Sequence, residues 1–147
     1  MSKKLTRRNF LKTSGVVGAG FWLGTSPLQA ADTAPSNRLN LAVIGLGGQG
    51  GANLNAVTSQ NIVALCDVDD VRAGKAYDRF PKAKKYLDFR RMYDEMGKQI
   101  DAVVISTPDH THFHSAYFAL RMGKHIYLEK PLAHSVWEVR ELTRLAA

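Results

Sequence analysis

Three observations predict an α/β fold built on a parallel sheet. Short, continuous, β-branched and aliphatic runs recur from Leu39 onward, longer segments of helical composition separate them, and the first run stops at a cluster of glycines. Antiparallel hairpins would need tight turns between neighbouring runs; segments of helix length between them call for right-handed crossovers, with helices on both faces of the sheet. The 147 residues leave room for one domain and not for a long two-domain enzyme. A hydrophobic fraction of 45% with five prolines is enough for a packed core and excludes a disordered or collagen-like chain.

Each element follows from local chemistry. Residues 39–44 read as a buried strand, 45–51 as a glycine-rich turn, and 52–59 as a short helix. Residues 61–66 form a second apolar run ending at Asp67, and 70–80 a helix closed by Pro81. A weak strand is expected around 85–87. Asp88 is a fitting N-cap for a helix through Met96 that stops at Gly97. Residues 101–106 are the clearest buried strand, halted by Pro108. The helix expected over 112–122 carries Phe113, Ala116, Tyr117 and Leu120 at helical spacing and ends at Gly123. Residues 125–128 make a fifth strand. A last helix starts at Ser135, with Val136, Trp137, Val139 and Leu142 as its core stripe.

Charge and cysteine content narrow the function classes. Residues 1–30 hold Lys3, Lys4, Arg7, Arg8 and Lys12 and no acid, so the formal charge of +7 falls to +2 for the remainder. A nucleic-acid partner therefore loses its main support. Cys66 is the only cysteine, which rules out an internal disulfide and a cysteine-based zinc site, and its apolar surroundings make it a small hydrophobe.

The first thirty residues have a basic start, an apolar middle over 15–28 and a small-residue end at Gln29, Ala30 and Ala31. That middle is shorter and less apolar than the roughly 20 residues needed to span a bilayer, so no permanent membrane anchor is expected. Residues 6–12, Thr-Arg-Arg-Asn-Phe-Leu-Lys, resemble a twin-arginine export signal over its full length. The resemblance implies the twin-arginine export machinery as a partner and a periplasmic or otherwise exported location. It also implies a cofactor bound before export, since that route carries folded proteins. The expected division is a signal peptide over 1–30, a linker over 31–38 and a dinucleotide-binding domain over 39–147.

Gly45, Gly47 and Gly50 give G-x-G-x-x-G, with Gly48 and Gln49 inside it, directly between a predicted strand and a predicted helix. In that context the first glycine permits the tight turn, the second lets the backbone approach a diphosphate, and the third lets helix and strand pack closely. The amides at the helix start face the phosphates. Asp67, at the end of the second strand, can accept hydrogen bonds from the adenosine ribose hydroxyls and repels a 2'-phosphate. NAD is thus preferred over NADP, although the nearby Arg72 leaves NADP open. Ser106 to His112 and Glu129-Lys130-Pro131 stand at the ends of the fourth and fifth strands, where ligands of such sheets gather. His110, His112 and His114 are not expected to bind a metal, because alternate spacing spreads them around a helix start.

The chain resembles the Gfo/Idh/MocA oxidoreductases from Leu39 to its end. The residues that carry the likeness are Gly45 to Gly50, Asp67, Thr107-Pro108 with His112, and the run from Ala119 to His125 leading into Glu129-Lys130-Pro131. The resemblance implies a Rossmann-type sheet, truncated before the α+β substrate domain with which members of this family continue. It also implies that Thr107 and Pro108 line the dinucleotide cleft, that His112 faces it, that Glu129 hydrogen-bonds within it, and that Lys130 is the catalytic group beside the nicotinamide and the substrate hydroxyl. The implied activity is dehydrogenation of a sugar, inositol or related polyol. The alternatives are an NAD-dependent glycosidase, which oxidises its sugar transiently and cuts by elimination, and a non-catalytic dinucleotide-binding fragment. A homo-oligomer is expected for the full-length protein.

Overall fold

The computed structural model describes residues 37–147. The expected signal peptide, and all of the expected linker but Asn37 and Arg38, lie outside the described residues. Five strands form one sheet: β1 (Asn40–Ile44), β2 (Asn61–Cys66), β3 (Lys84–Tyr86), β4 (Ala102–Ile105) and β5 (His125–Leu128). Their spatial order is β3-β2-β1-β4-β5, and every pairing is parallel. Five helices connect and follow them: α1 (Gln49–Ala56), α2 (Asp70–Arg79), α3 (Phe89–Met96), α4 (Asp109–Arg121) and α5 (Val136–Ala146). No described helix is long and apolar enough to cross a membrane.

The strands are apolar on both faces because helices cover both. Side chains alternate across a strand, so Leu41, Val43, Leu65 and Val104 point to one side and pack with Leu54 of α1 and Ala73, Ala76 and Tyr77 of α2. Ala42, Ile44, Ala64, Cys66, Val103 and Ile105 point to the other, against Met92, Tyr93 and Met96 of α3, Ala116 and Ala119 of α4 and Leu142 of α5. Val43, Leu65, Val103 and Ile105 are wholly excluded from solvent. Each such side chain stabilises the fold by about 1.5–3 kcal/mol. Small residues on the second face let the helices sit close to the sheet.

Helix starts follow the side-chain caps where caps exist. Asp69 accepts from the amides of Val71 and Arg72, Asp88 accepts from the amide of Arg90, and Ser135 and Glu138 form a reciprocal capping box. The other two helices begin earlier than expected, α1 at Gln49 instead of 52 and α4 at Asp109 instead of 112. β3 lies at Lys84–Tyr86, one residue before the expected 85–87. Trp137 and Val136, expected in the core, are 65% and 68% exposed. Val139 and Leu142 alone of that stripe turn inward, and Trp137 instead leans on Phe113 with ring centroids 5.5 Å apart.

The register places the strand ends level. Ile44 stands opposite Cys66 on one side and Ile105 on the other. The ladder then runs one residue further, through Gly45 N to Cys66 O (2.9 Å), Ser106 N to Ile44 O (2.8 Å), Asp67 N to Tyr86 O (3.1 Å) and Glu129 N to Ile105 O (3.0 Å). Gly45, Asp67, Ser106 and Glu129 thus sit side by side at the carboxyl edge. β1 there has β2 on one side and β4 on the other, so the chain diverges above it and leaves a crevice.

Candidate functional site

The crevice is a cavity of about 970 Å3 over the carboxyl ends of β1, β2 and β4. Gly45, Gly47 and Gly48 form one wall, Asp67, Val68, Asp69 and Arg72 a second, and Ser106, Thr107 and Pro108 a third. Leu87, Phe89 and Arg90 close the side nearest β3, and His110, Thr111 and His114 stand at the start of α4.

Backbone geometry explains the glycines. Gly45 has φ +84°, a region that side chains disfavour, and a Cβ on it would lie 2.7 Å from the Ser106 carbonyl oxygen. A Cβ on Gly50 would run into the Gly45 carbonyl, so α1 can pack this close only with glycine there. Gly48 is the N-cap of α1 at φ +51°; it offers no side-chain acceptor, and no acidic residue follows in the first turn. The helix therefore begins with amides that no side chain satisfies, beside a wall without side chains.

Asp67 fixes this turn from the next strand. One carboxylate oxygen accepts from the Leu46 amide at 2.7 Å and the other from the Asp69 amide at 3.0 Å. Each oxygen keeps a lone pair for a ligand. The stem of Arg72 runs alongside Gly47, and its guanidinium pairs with Asp69 at 3.3 Å. Cys66 closes the cavity floor; burial, with Asp67 next to it, pushes its thiol up to about 12. It is a hydrophobe and not a nucleophile, in keeping with its place in an apolar run.

The residues fit a dinucleotide on grounds independent of motif. The hydroxyl of Thr107 is buried at the cavity wall and has no hydrogen-bond partner, a cost that a bound polar ligand removes. An open glycine wall, free helix amides, a carboxylate and that hydroxyl are the donors and acceptors that a diphosphate and two riboses require.

The predicted site residues divide into two groups. The structure brings Gly45, Gly47, Gly48, Asp67, Thr107 and Pro108 into one cavity. Gln49 and Gly50 belong to the first turn of α1 behind that wall, Gln49 exposed and Gly50 buried against Gly45. Glu129 and Lys130 follow β5 outside the cavity lining, with Lys130 exposed and Glu129 half-buried. The expectation that His112 faces the cleft is not met. His112 is 1% exposed, with Nδ1 2.8 Å from the Pro131 carbonyl oxygen and Nε2 2.6 Å from that of Thr107. Because α4 starts at Asp109, residue 112 lies a full turn in and rotates toward the sheet, where it bridges the two loops that follow β4 and β5.

Sequence reasoning missed Asn53. From the second turn of α1 its amide donates to Ser106 Oγ at 2.8 Å and to Glu129 Oε1 at 3.1 Å. These hydrogen bonds, first that from Asn53 and then that from the Lys130 amide (3.0 Å), hold the Glu129 carboxyl below the usual range. The one available signal was its spacing, four residues after Gln49 and on the same helix face. The hydrophobic wall of Val68, Leu87 and Phe89 was also missed, and only their positions after β2 and β3 could have marked it.

Comparison with known proteins agrees with this geometry. A model described as "Oxidoreductase family, NAD-binding Rossmann fold" matches residues 39–147. A twin-arginine translocation signal matches residues 4–21, which assigns the chain to that export route. The chain is 34% identical over 159 residues to a glycosyl hydrolase family 109 protein of Solibacter usitatus, covering 95% of this chain and 36% of that protein. It is similar to the crystal structure of myo-inositol 2-dehydrogenase from Lactobacillus plantarum, with a TM-score of 0.65 and 28% identity over 74% of this chain and 32% of that one. An Agrobacterium radiobacter oxidoreductase, crystallised with NAD+, L-tartaric acid and magnesium, gives a TM-score of 0.67 and 26% identity over 74% of this chain and 32% of that one. The chain spans about a third of the length of these relatives.

Proposed function

The chain belongs to the Gfo/Idh/MocA oxidoreductase family through its NAD-binding Rossmann domain, and from that premise we propose that the whole protein is an exported oxidoreductase that passes a hydride from a sugar, inositol or related polyol to NAD. The observation that carries this reading is the open glycine wall at the divergence of β2 and β4, flanked by Asp67 and by the unpartnered hydroxyl of Thr107.

Each residue has a part. Gly47, Gly48 and Gln49 present backbone amides to the diphosphate, while Gly45 and Gly50 let turn and helix come close enough to do so. Asp67 accepts from the adenosine ribose hydroxyls. Its charge disfavours a 2'-phosphate, and Arg72 is drawn to Asp69, so NAD is preferred over NADP. Thr107 and Pro108 line the nicotinamide side. Bound NAD supplies the hydride acceptor. Lys130, exposed at the end of β5, meets the substrate hydroxyl and takes or steadies its proton as the C–H bond breaks. Glu129 holds the Lys130 backbone, since its carboxylate is committed to Asn53 and the Lys130 amide. His112 keeps the two loops together from below.

A second reading is favoured by the likeness to the family 109 glycosyl hydrolase. In it the same residues serve an NAD-dependent glycosidase, in which oxidation of the sugar is transient and elimination breaks the glycosidic bond. Turnover by the whole protein separates the two: net gain of NADH absorbance supports the dehydrogenase, and glycoside cleavage without it supports the glycosidase. Cleavage and absorbance both silent across sugars, inositols and aryl glycosides would overturn both. The 147 residues alone act as a dinucleotide-binding module, and a homo-oligomer is expected for the whole protein.

Residues 1–30 serve as the export signal, 31–38 as the linker and 39–147 as the domain. Delivery is to the periplasm or its equivalent, with NAD bound in the cytoplasm. Recovery of the cytoplasmic precursor without NAD would refute that order.

A further inference from the structure

The side chain of Asn53 has every hydrogen-bonding group in use. It accepts from Gln49 Nε2 at 3.1 Å and gives its amide hydrogens to Ser106 Oγ and Glu129 Oε1. Those partners lie on three different elements: the start of α1, the end of β4 and the end of β5. The arrangement also fixes the orientation of the amide, because the flipped form would set its oxygen against the Glu129 carboxylate. Glu129 in turn accepts from the Lys130 amide through Oε2 at 3.0 Å, and from the Tyr127 hydroxyl through Oε1 at 3.4 Å. Backbone pairing of β5 to β4 ends with Glu129 N to Ile105 O. Beyond that bond Lys130 is exposed, so burial does not hold it.

We propose that Asn53 is a positioning residue for Lys130, acting through the Glu129 carboxylate and joining the diphosphate seat at the start of α1 to the lysine at the end of β5. The inference rests on the reading of Lys130 as the group beside the nicotinamide. It goes beyond that reading in naming what sets the lysine's place: a chain of four residues, Gln49, Asn53, Glu129 and Lys130, with one end in the turn that meets the phosphates. The chain meets Lys130 at its backbone amide, so what it fixes is the main chain from which the lysine side chain reaches out. Cutting the chain therefore loosens the nicotinamide end while the adenosine end keeps its contacts.

Calorimetric titration of the chain with NADH, NAD+ and ADP-ribose tests this. The neutral amine of Lys130 takes the hydroxyl proton in turnover, whereas its protonated form repels the cationic ring of NAD+. Titrated with the lysine protonated, the chain is therefore expected to prefer NADH, and Lys130→Ala to lose that preference. Asn53→Leu is expected to reduce the NADH preference by about fivefold, the worth of one hydrogen bond, while affinity for ADP-ribose, which lacks the nicotinamide, changes by about twofold or less. Because Glu129→Gln also removes a negative charge, the link is read by comparison: Asn53→Leu should no longer reduce the preference when made in a Glu129→Gln background, where the lost charge cancels. An unchanged NADH preference in Asn53→Leu, or an equal fall for all three ligands, would overturn the proposal. If Asn53→Leu does not fold, Asn53→Ser, which adds no charge and is too short to keep the bonds to Ser106 and Glu129, is read by the same ratio. A chain that binds all three ligands with no effect of Lys130→Ala would overturn the inference and leave dinucleotide binding standing. Failure to bind any of them would overturn both.

Discussion

At the scale of single residues, the glycines and Asp67 were legible because backbone geometry dictates them locally. Gly50→Ala tests this: its Cβ would meet the backbone carbonyl of Gly45, which cannot swing aside. The expected cost is about 3 kcal/mol in denaturant unfolding, at the upper end for an overpacked site. Asp67→Asn keeps the shape but removes the charge. NAD affinity should fall about tenfold and the margin over NADP should narrow, as titration with both would show. Cys66 gives a pH dependence with a definite sign. Its folded pKa of about 12 lies above the ordinary 9.0, so the protonated thiol stabilises the fold fully below pH 9. That stability drains away as pH rises from 9 toward 12, and unfolding midpoints across the range should fall. His112 and Asn53 were misread or missed for a shared reason: their partners are distant in sequence, 19 residues away for the Pro131 carbonyl and 76 for Glu129. Only the folded sheet edge brings them together.

At the scale of elements, legibility tracked the caps. The helices beginning with Asp69, Asp88 and Ser135 started where the sequence indicated, since a carboxylate or hydroxyl marks each first turn. α1 and α4 begin with Gly48 and Pro108, which make no side-chain cap bond, and both were expected three residues late. That lag moved His112 from the helix start into its second turn and made it look cleft-facing. For α5 the cap itself can be tested. Ser135→Ala removes the bond to the Glu138 amide and should cost about 1 kcal/mol in chemical denaturation. No loss would mean that packing of Val139 and Leu142 alone sets where this helix starts.

At the scale of the whole molecule, the parallel sheet was legible from alternation, because helix-length segments between buried runs exclude hairpins. The strand order was not, since aliphatic runs of similar composition can be neighbours in more than one order. What the order achieves is the divergence of β2 and β4 above β1, which puts the glycine turn, Asp67 and Thr107 around one cavity. The chain covers about a third of its relatives' length, so the groups that select a substrate remain with the proposal. The central claim concerns the dinucleotide seat alone. Amide-resolved NMR of the chain titrated with NAD tests it most directly. Saturable shifts should be largest at Gly47, Gly48 and Gln49 and reach Asp67 and Thr107. Absence of saturable shifts, or shifts confined to residues away from the glycine turn, such as Lys82, Lys84 and Lys85, would contradict the account.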